Sequence, residues 1–69
     1  MTELKIMVNG EPRRLPFPAT ASDLLNNLGL DPRTVVVEVN RKIVRRAQLG
    51  DTPLSDGDAI ELVHFVGGG

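Results

Sequence analysis

Apolar and polar side chains alternate strictly over residues 3–8: Leu4, Ile6 and Val8 point one way, Lys5 and Met7 the other. A period of two marks a strand with one buried face. Asn9-Gly10 follows, a pair that tolerates positive φ and closes tight hairpins. The return strand is predicted from about Arg13 to Phe17, with Leu15 and Phe17 on its core face. Pro12, Pro16 and Pro18 lack ladder donors, which places this strand at a sheet edge. The period then changes. Thr20 can cap a helix and Asp23 can reach back in a capping box. Leu24, Leu25 and Leu28 fall on one helical face. Gly29 supplies a left-handed C-terminal residue, and Asp31-Pro32 blocks continuation, so the helix is short, about ten residues.

Period two returns at Val35–Val39, with Val35, Val37 and Val39 on one face and Val36 and Glu38 on the other. Asn40-Arg41 makes a tight turn into a short strand at Lys42–Val44. An irregular stretch leads to Ser55, and Asp56-Gly57 is a second turn. The last strand is predicted from about Ala59 to Phe65. The order ββαβββ gives one helix to cover one face of one mixed sheet, an α+β chain. A right-handed crossover through the helix puts the first and last strands parallel at the centre. That arrangement is a β-grasp, the ubiquitin-like architecture, expected over residues 1–65, with residues 66–69 as a flexible glycine-rich tail.

Composition narrows what such a domain can do. Sixty-nine residues make one domain, and a chain this small buries only about 60% of its unfolded surface. With no cysteine, tryptophan or tyrosine and only two phenylalanines, the core is aliphatic and disulfide and thiolate chemistry are excluded. A net charge of −1 gives no electrostatic case for nucleic acid or an anionic membrane. No apolar run reaches the length of a membrane span or signal segment, so a cytoplasmic location is expected. There is no Ser-His-Asp set, phosphate-binding loop or metal-ligand cluster, so neither an enzyme nor a metal site is expected. His64 alternates with Ile60 and Leu62, which places it at the core margin in a packing role.

The sequence ends on Gly67-Gly68-Gly69. Short glycine ends are ordinarily just mobile termini. Here they follow directly on a strand predicted to be central. Glycine has no Cβ, and three of them reach about 10 Å when extended, at roughly 3.3–3.6 Å each. Such a tail can cross the wall of a partner's pocket and present the Gly69 carboxylate inside it.

The whole chain resembles the ThiS family, the sulfur carriers of thiamine biosynthesis. The resemblance rests on the Asn9-Gly10 hairpin, the Thr20–Leu28 helix and Val37-Glu38-Val39-Asn40 followed by Ile43-Val44. It continues through Leu54-Ser55-Asp56-Gly57-Asp58, Ile60-Glu61-Leu62-Val63-His64 and Val66-Gly67-Gly68-Gly69. Two positions depart from the family pattern: Arg45-Arg46 stands where Pro-Arg is usual, and Leu49 where an aromatic residue is common. The resemblance implies a protein co-substrate with no bound cofactor. An E1-like adenylyltransferase of the ThiF type would adenylate Gly69 at the expense of ATP. A persulfide donor would convert it to a thiocarboxylate, and a thiazole synthase of the ThiG type would take the sulfur. Gly67 and Gly68 would supply reach. A molybdopterin-synthase-type sulfur carrier shares the fold and the glycine end but is usually longer. A ubiquitin-like protein modifier shares the adenylation step.

Alternation also predicts a docking face. Ile60 and Leu62 face the helix, so Val63 and Phe65 face solvent, expected beside Met7 and Val36. Arg41, Lys42, Arg45 and Arg46 read as a charged edge that discourages strand pairing between molecules. Asn9-Gly10 and Asp56-Gly57 are turn chemistry.

Overall fold

The computed structural model describes residues 1–65. Five strands form one sheet: β1 (Glu3–Val8), β2 (Glu11–Pro16), β3 (Val35–Val39), β4 (Lys42–Val44) and β5 (Ala59–His64). Their spatial order is β2-β1-β5-β3-β4. β1 and β5 run parallel, and the other neighbours are antiparallel. The expected mixed sheet with its first and last strands parallel is therefore present, with β5 in the middle and the charged β4 and proline-bearing β2 at the edges. Among the described residues one α-helix, α1 (Ala21–Leu28), covers one face.

Local chemistry explains each boundary. At the helix start, the Thr20 hydroxyl accepts from the Asp23 amide and the Asp23 carboxylate accepts from the Thr20 amide, a complete capping box. At its end Gly29 sits at φ 71 and its amide donates to the carbonyls of Asn26 and Leu25. The helix has eight residues rather than about ten, because this cap falls directly after Leu28. Asp31-Pro32 stops the helix as expected and opens a turn of 3-10 helix, Pro32–Thr34. Asp31 caps that turn through the Arg33 amide and pairs with the Arg33 side chain at 2.8 Å, which lowers its carboxyl pKa to about 2. Both hairpin turns have two central residues at positive φ, Asn9-Gly10 and Asn40-Arg41, the geometry that matches strand twist. Arg41, at φ 70, adopts it without glycine's freedom, a strain of about 1–2 kcal/mol.

The core is aliphatic throughout. Leu4, Ile6, Leu15, Leu24, Leu25 and Ile60 are fully enclosed, joined by Val8, Val35, Val37 and Leu62. Phe17 is a correction: it is 47% exposed, not a core residue. The return strand begins earlier and ends earlier than expected, at Glu11 and Pro16. The chain then bends through Phe17 and the cis Phe17–Pro18 bond, and the small Ala19 takes the buried position instead. The irregular stretch contains a second 3-10 segment, Arg46–Asp51, packed against the helix. Leu49 there, one of the two departures from the family pattern, is 4% exposed and belongs to the core.

The other departure from the family pattern is as readily accommodated. Arg45 caps this 3-10 segment at φ −68, ψ 147. That φ is the one proline imposes, and Val44 before it is in a strand, as a residue preceding proline requires. Arg45→Pro should therefore raise stability by about 0.4–1 kcal/mol by restricting the unfolded chain. In a chain of this size that is roughly 2–8 °C in Tm, readable in a thermal melt. A drop in Tm would show that the Arg45 amide or side chain has a structural role of its own.

Candidate functional site

Gly67, Gly68 and Gly69 lie outside the described residues, as does Val66. What the fold does define is the place from which they continue. β5 is flanked on both sides, by β1 and β3. It overruns β1, because the parallel register pairs only Met7 with Ala59 and Val8 with Ile60 before β1 turns. Beyond that point the partner on one side is a side chain. The Asn9 carboxamide accepts from the Leu62 amide at 2.8 Å and donates to the Leu62 carbonyl at 3.2 Å. Its carboxamide thus imitates one more strand residue. On the other side β3 pairs with β5 as far as Val35 and His64, and the Phe65 amide donates to the Thr34 carbonyl. Both neighbours hold β5 as far as Leu62, and from Val63 to Phe65 it is held from the β3 side.

Asn9 therefore has a second task that the turn signal concealed. Nothing in an Asn-Gly pair reveals that the asparagine side chain also completes a ladder 53 residues away. Asn9→Ala should cost about 1–3 kcal/mol, since it leaves two partly buried backbone groups of Leu62 without partners and weakens the turn. The check is amide exchange. Leu62, His64 and Phe65 should lose protection more than Leu4 and Ile6 do, and uniform loss would argue for a global effect only.

The four residues expected on the docking face are all on the uncovered side of the sheet, but they do not form one cluster. Val36 and Val63 are direct cross-strand partners, and Phe65 continues the same face two residues on. Val63 is 54% exposed and Phe65 49%. Met7, 40% exposed, stands level with Ala59, four residues before Val63. At about 3.3 Å per residue that is some 13 Å away along the strand. The expectation that Val63 and Phe65 lie beside Met7 thus fails, because β5 runs on past the end of β1. Ile43 joins the face instead. It pairs with Glu38 on the outer side of β4 and is 68% exposed. Ile43 alternates with Val44, which turns to the core, and only the pairing with β3 fixes which of the two faces out.

His64 lies on the opposite, helix-bearing side, paired with Val35 and exposed at the core margin. With Val8, Leu28, Leu30 and Leu62 it borders a shallow cleft of about 290 Å³. A larger depression of about 470 Å³ lies between β2 and α1, near Pro16 and Asp23. It is at the other end of the sheet, since Pro16 pairs with Glu3 at the start of β1. Among the described residues no three potential metal ligands cluster, and no helix is long and apolar enough to cross a membrane.

A capped helix on a five-stranded mixed sheet, with its last strand central and parallel to its first, defines the class: a ubiquitin-like β-grasp protein. The ThiS family model matches residues 6–69, and the chain belongs to the ThiS family. It is 44% identical over 50 residues to the sulfur carrier protein ThiS of Bacillus subtilis, covering 72% of this chain and 76% of that one. The crystal structure of the thiamine biosynthesis protein ThiS from Geobacter metallireducens superposes with a TM-score of 0.81. The two are 32% identical, with 96% of this chain and 100% of that chain covered. Longer relatives also match. A thiazole synthase of Magnetococcus marinus is 44% identical over 66 residues, which is 96% of this chain but 20% of that protein. The chain spans only 20% of the length of the first curated relatives it matches.

Proposed function

We propose that this chain is a protein co-substrate, not an enzyme, that carries sulfur as a thiocarboxylate on Gly69 and delivers it to a thiazole synthase. A Gly69 carboxylate oxygen attacks the α-phosphorus of ATP in an E1-like adenylating enzyme. Pyrophosphate leaves, and a poor electrophile becomes a mixed anhydride. The terminal sulfur of a persulfide then attacks the acyl carbon and AMP departs. A thiol cleaves the resulting acyl disulfide, and the thiocarboxylate is free. It is a sulfur nucleophile held covalently, so no sulfide need diffuse.

The observation that carries this reading is the position of β5: the strand leading to Gly67–Gly69 is the central one, paired on both sides as far as Leu62 and on the β3 side as far as Phe65. A rigid base beside a tail without side chains is what threading a terminal carboxylate into another protein's site requires. The match to the family extends through Gly69. Similarity to proteins named thiazole synthase supports that enzyme as the sulfur acceptor.

Incubation with the adenylating enzyme, ATP and a persulfide source should exchange one oxygen for sulfur, seen in the intact mass. An unchanged mass with a competent enzyme would defeat the reading. Docking is assigned to the uncovered face, so Phe65→Asp should fold normally and be adenylated at least about tenfold more slowly, as for loss of an interface anchor. An unchanged rate would move the docking site elsewhere.

A further inference from the structure

We infer that the uncovered face recognises a cation on its partner: the carboxylates of Glu38 and Glu61, framed by Ile43, Val36 and Val63, receive an arginine or lysine side chain of thiazole synthase. The choice of partner rests on the sulfur-carrier reading above.

Glu38 and Glu61 are direct cross-strand partners on β3 and β5, on the side of the sheet that the helix leaves open. Ile43 is the next residue across from Glu38, on β4. One step along the strands, in the direction of Phe65, stand Val36 and Val63. Two acids are thus set directly opposite one another at the border of an apolar patch formed by Ile43, Val36 and Val63. Like charges in that arrangement weaken a sheet. Among the described residues the ion pairs are Glu3 with Arg14 and Asp31 with Arg33, so neither of these carboxylates is neutralised by one of them. Lys42 pairs with Val39, on the opposite side of the strand from Ile43. Glutamine at either position would solvate as well without the repulsion.

A cation from outside turns this arrangement from a cost into a gain. A guanidinium can bridge two carboxylates with its fork of donors, and apolar side chains around it exclude water and strengthen the contact. The surrounding valines and isoleucine fit a protein surface rather than a free ion, and the negative pair opposes a nucleic-acid phosphate. A second copy of this chain is disfavoured too, because a symmetric contact through this face would bring four carboxylates together. The longer relatives join a region like this chain and a thiazole synthase in one polypeptide. That is the enzyme against which such a face would be held.

The test is calorimetric titration of the full chain with thiazole synthase from the same genome. The double variant E38Q/E61Q should bind at least about tenfold more weakly, the loss expected for a charged hydrogen bond. Its affinity should also depend less on salt, while its Tm equals or exceeds that of the parent. E11Q, which removes one negative charge from the edge strand β2, should bind as the parent does. Parent-like affinity and salt dependence in E38Q/E61Q would overturn the inference, as would an equal loss in E11Q, which would reduce the effect to net charge. If the unaltered chain does not bind thiazole synthase at all, the acceptor assignment falls and this inference with it.

Discussion

Converting the Gly69 carboxylate to a carboxamide is expected to abolish sulfur loading while leaving the melting curve unchanged. Among the described residues the buried core runs from Leu4 to Leu62, so the change is made outside that span. What is removed is the nucleophile: an amide cannot form the acyl-adenylate. Deleting Gly69 is the informative companion. It keeps a terminal carboxylate, now on Gly68, but draws it back by about 3.3–3.6 Å. A misplacement of about 1 Å can cost on the order of a hundredfold in rate, so loading should fall below about one per cent. Intact mass after incubation with the adenylating enzyme, ATP and a persulfide source reads both variants. Loading of the carboxamide would end the carboxylate mechanism. Normal loading of the deletion would show that reach is not limiting.

The parts of the fold that were legible in the sequence are those written in adjacent residues. Leu4, Ile6 and Val8 alternate, Thr20 and Asp23 stand three apart, Asn9-Gly10 admits positive φ, and Asn40-Arg41 reads as a tight turn. Each of these became the predicted element. The order ββαβββ then left few ways to cover one sheet face, and the parallel central pair followed. Positions decided by distant neighbours were not legible. Phe17 satisfies the alternation of its strand, but the strand stops at Pro16, and Ala19 takes the buried position beyond it. The spread of the docking face depended on register. Alternation assigns Met7 and Val63 to the same side but says nothing of their separation along parallel strands. The outward side of Ile43 is set only by the pairing of β4 with β3, and the role of the Asn9 carboxamide only by its partner Leu62. The glutamate pair belongs to the same class, since Glu38 and Glu61 become neighbours only when β3 and β5 align.

β5 must serve two opposite surfaces at once, and substitutions on its two sides should separate them. Ile60 is 1% exposed, packed in the core between its neighbours Val8 and Val39. Ile60→Ala should cost about 2–5 kcal/mol, the transfer of lost methyl and methylene groups plus a cavity that close packing cannot refill. The total stability of a 69-residue domain is of order 3–10 kcal/mol, so this variant should be near or beyond its unfolding midpoint at room temperature. Ile60→Val, which removes one carbon, should cost about 0.5–1.5 kcal/mol. It keeps the measurement possible if the alanine variant does not fold. Val63 is three residues along the same strand but on the uncovered face, 54% exposed. Val63→Ala should change stability by no more than about 0.5 kcal/mol, in the range of ordinary surface substitutions. Urea denaturation of the three proteins decides the matter. A loss for Val63→Ala as large as that for Ile60→Val would mean that the outer face is packed in the isolated chain and is not held open for a partner.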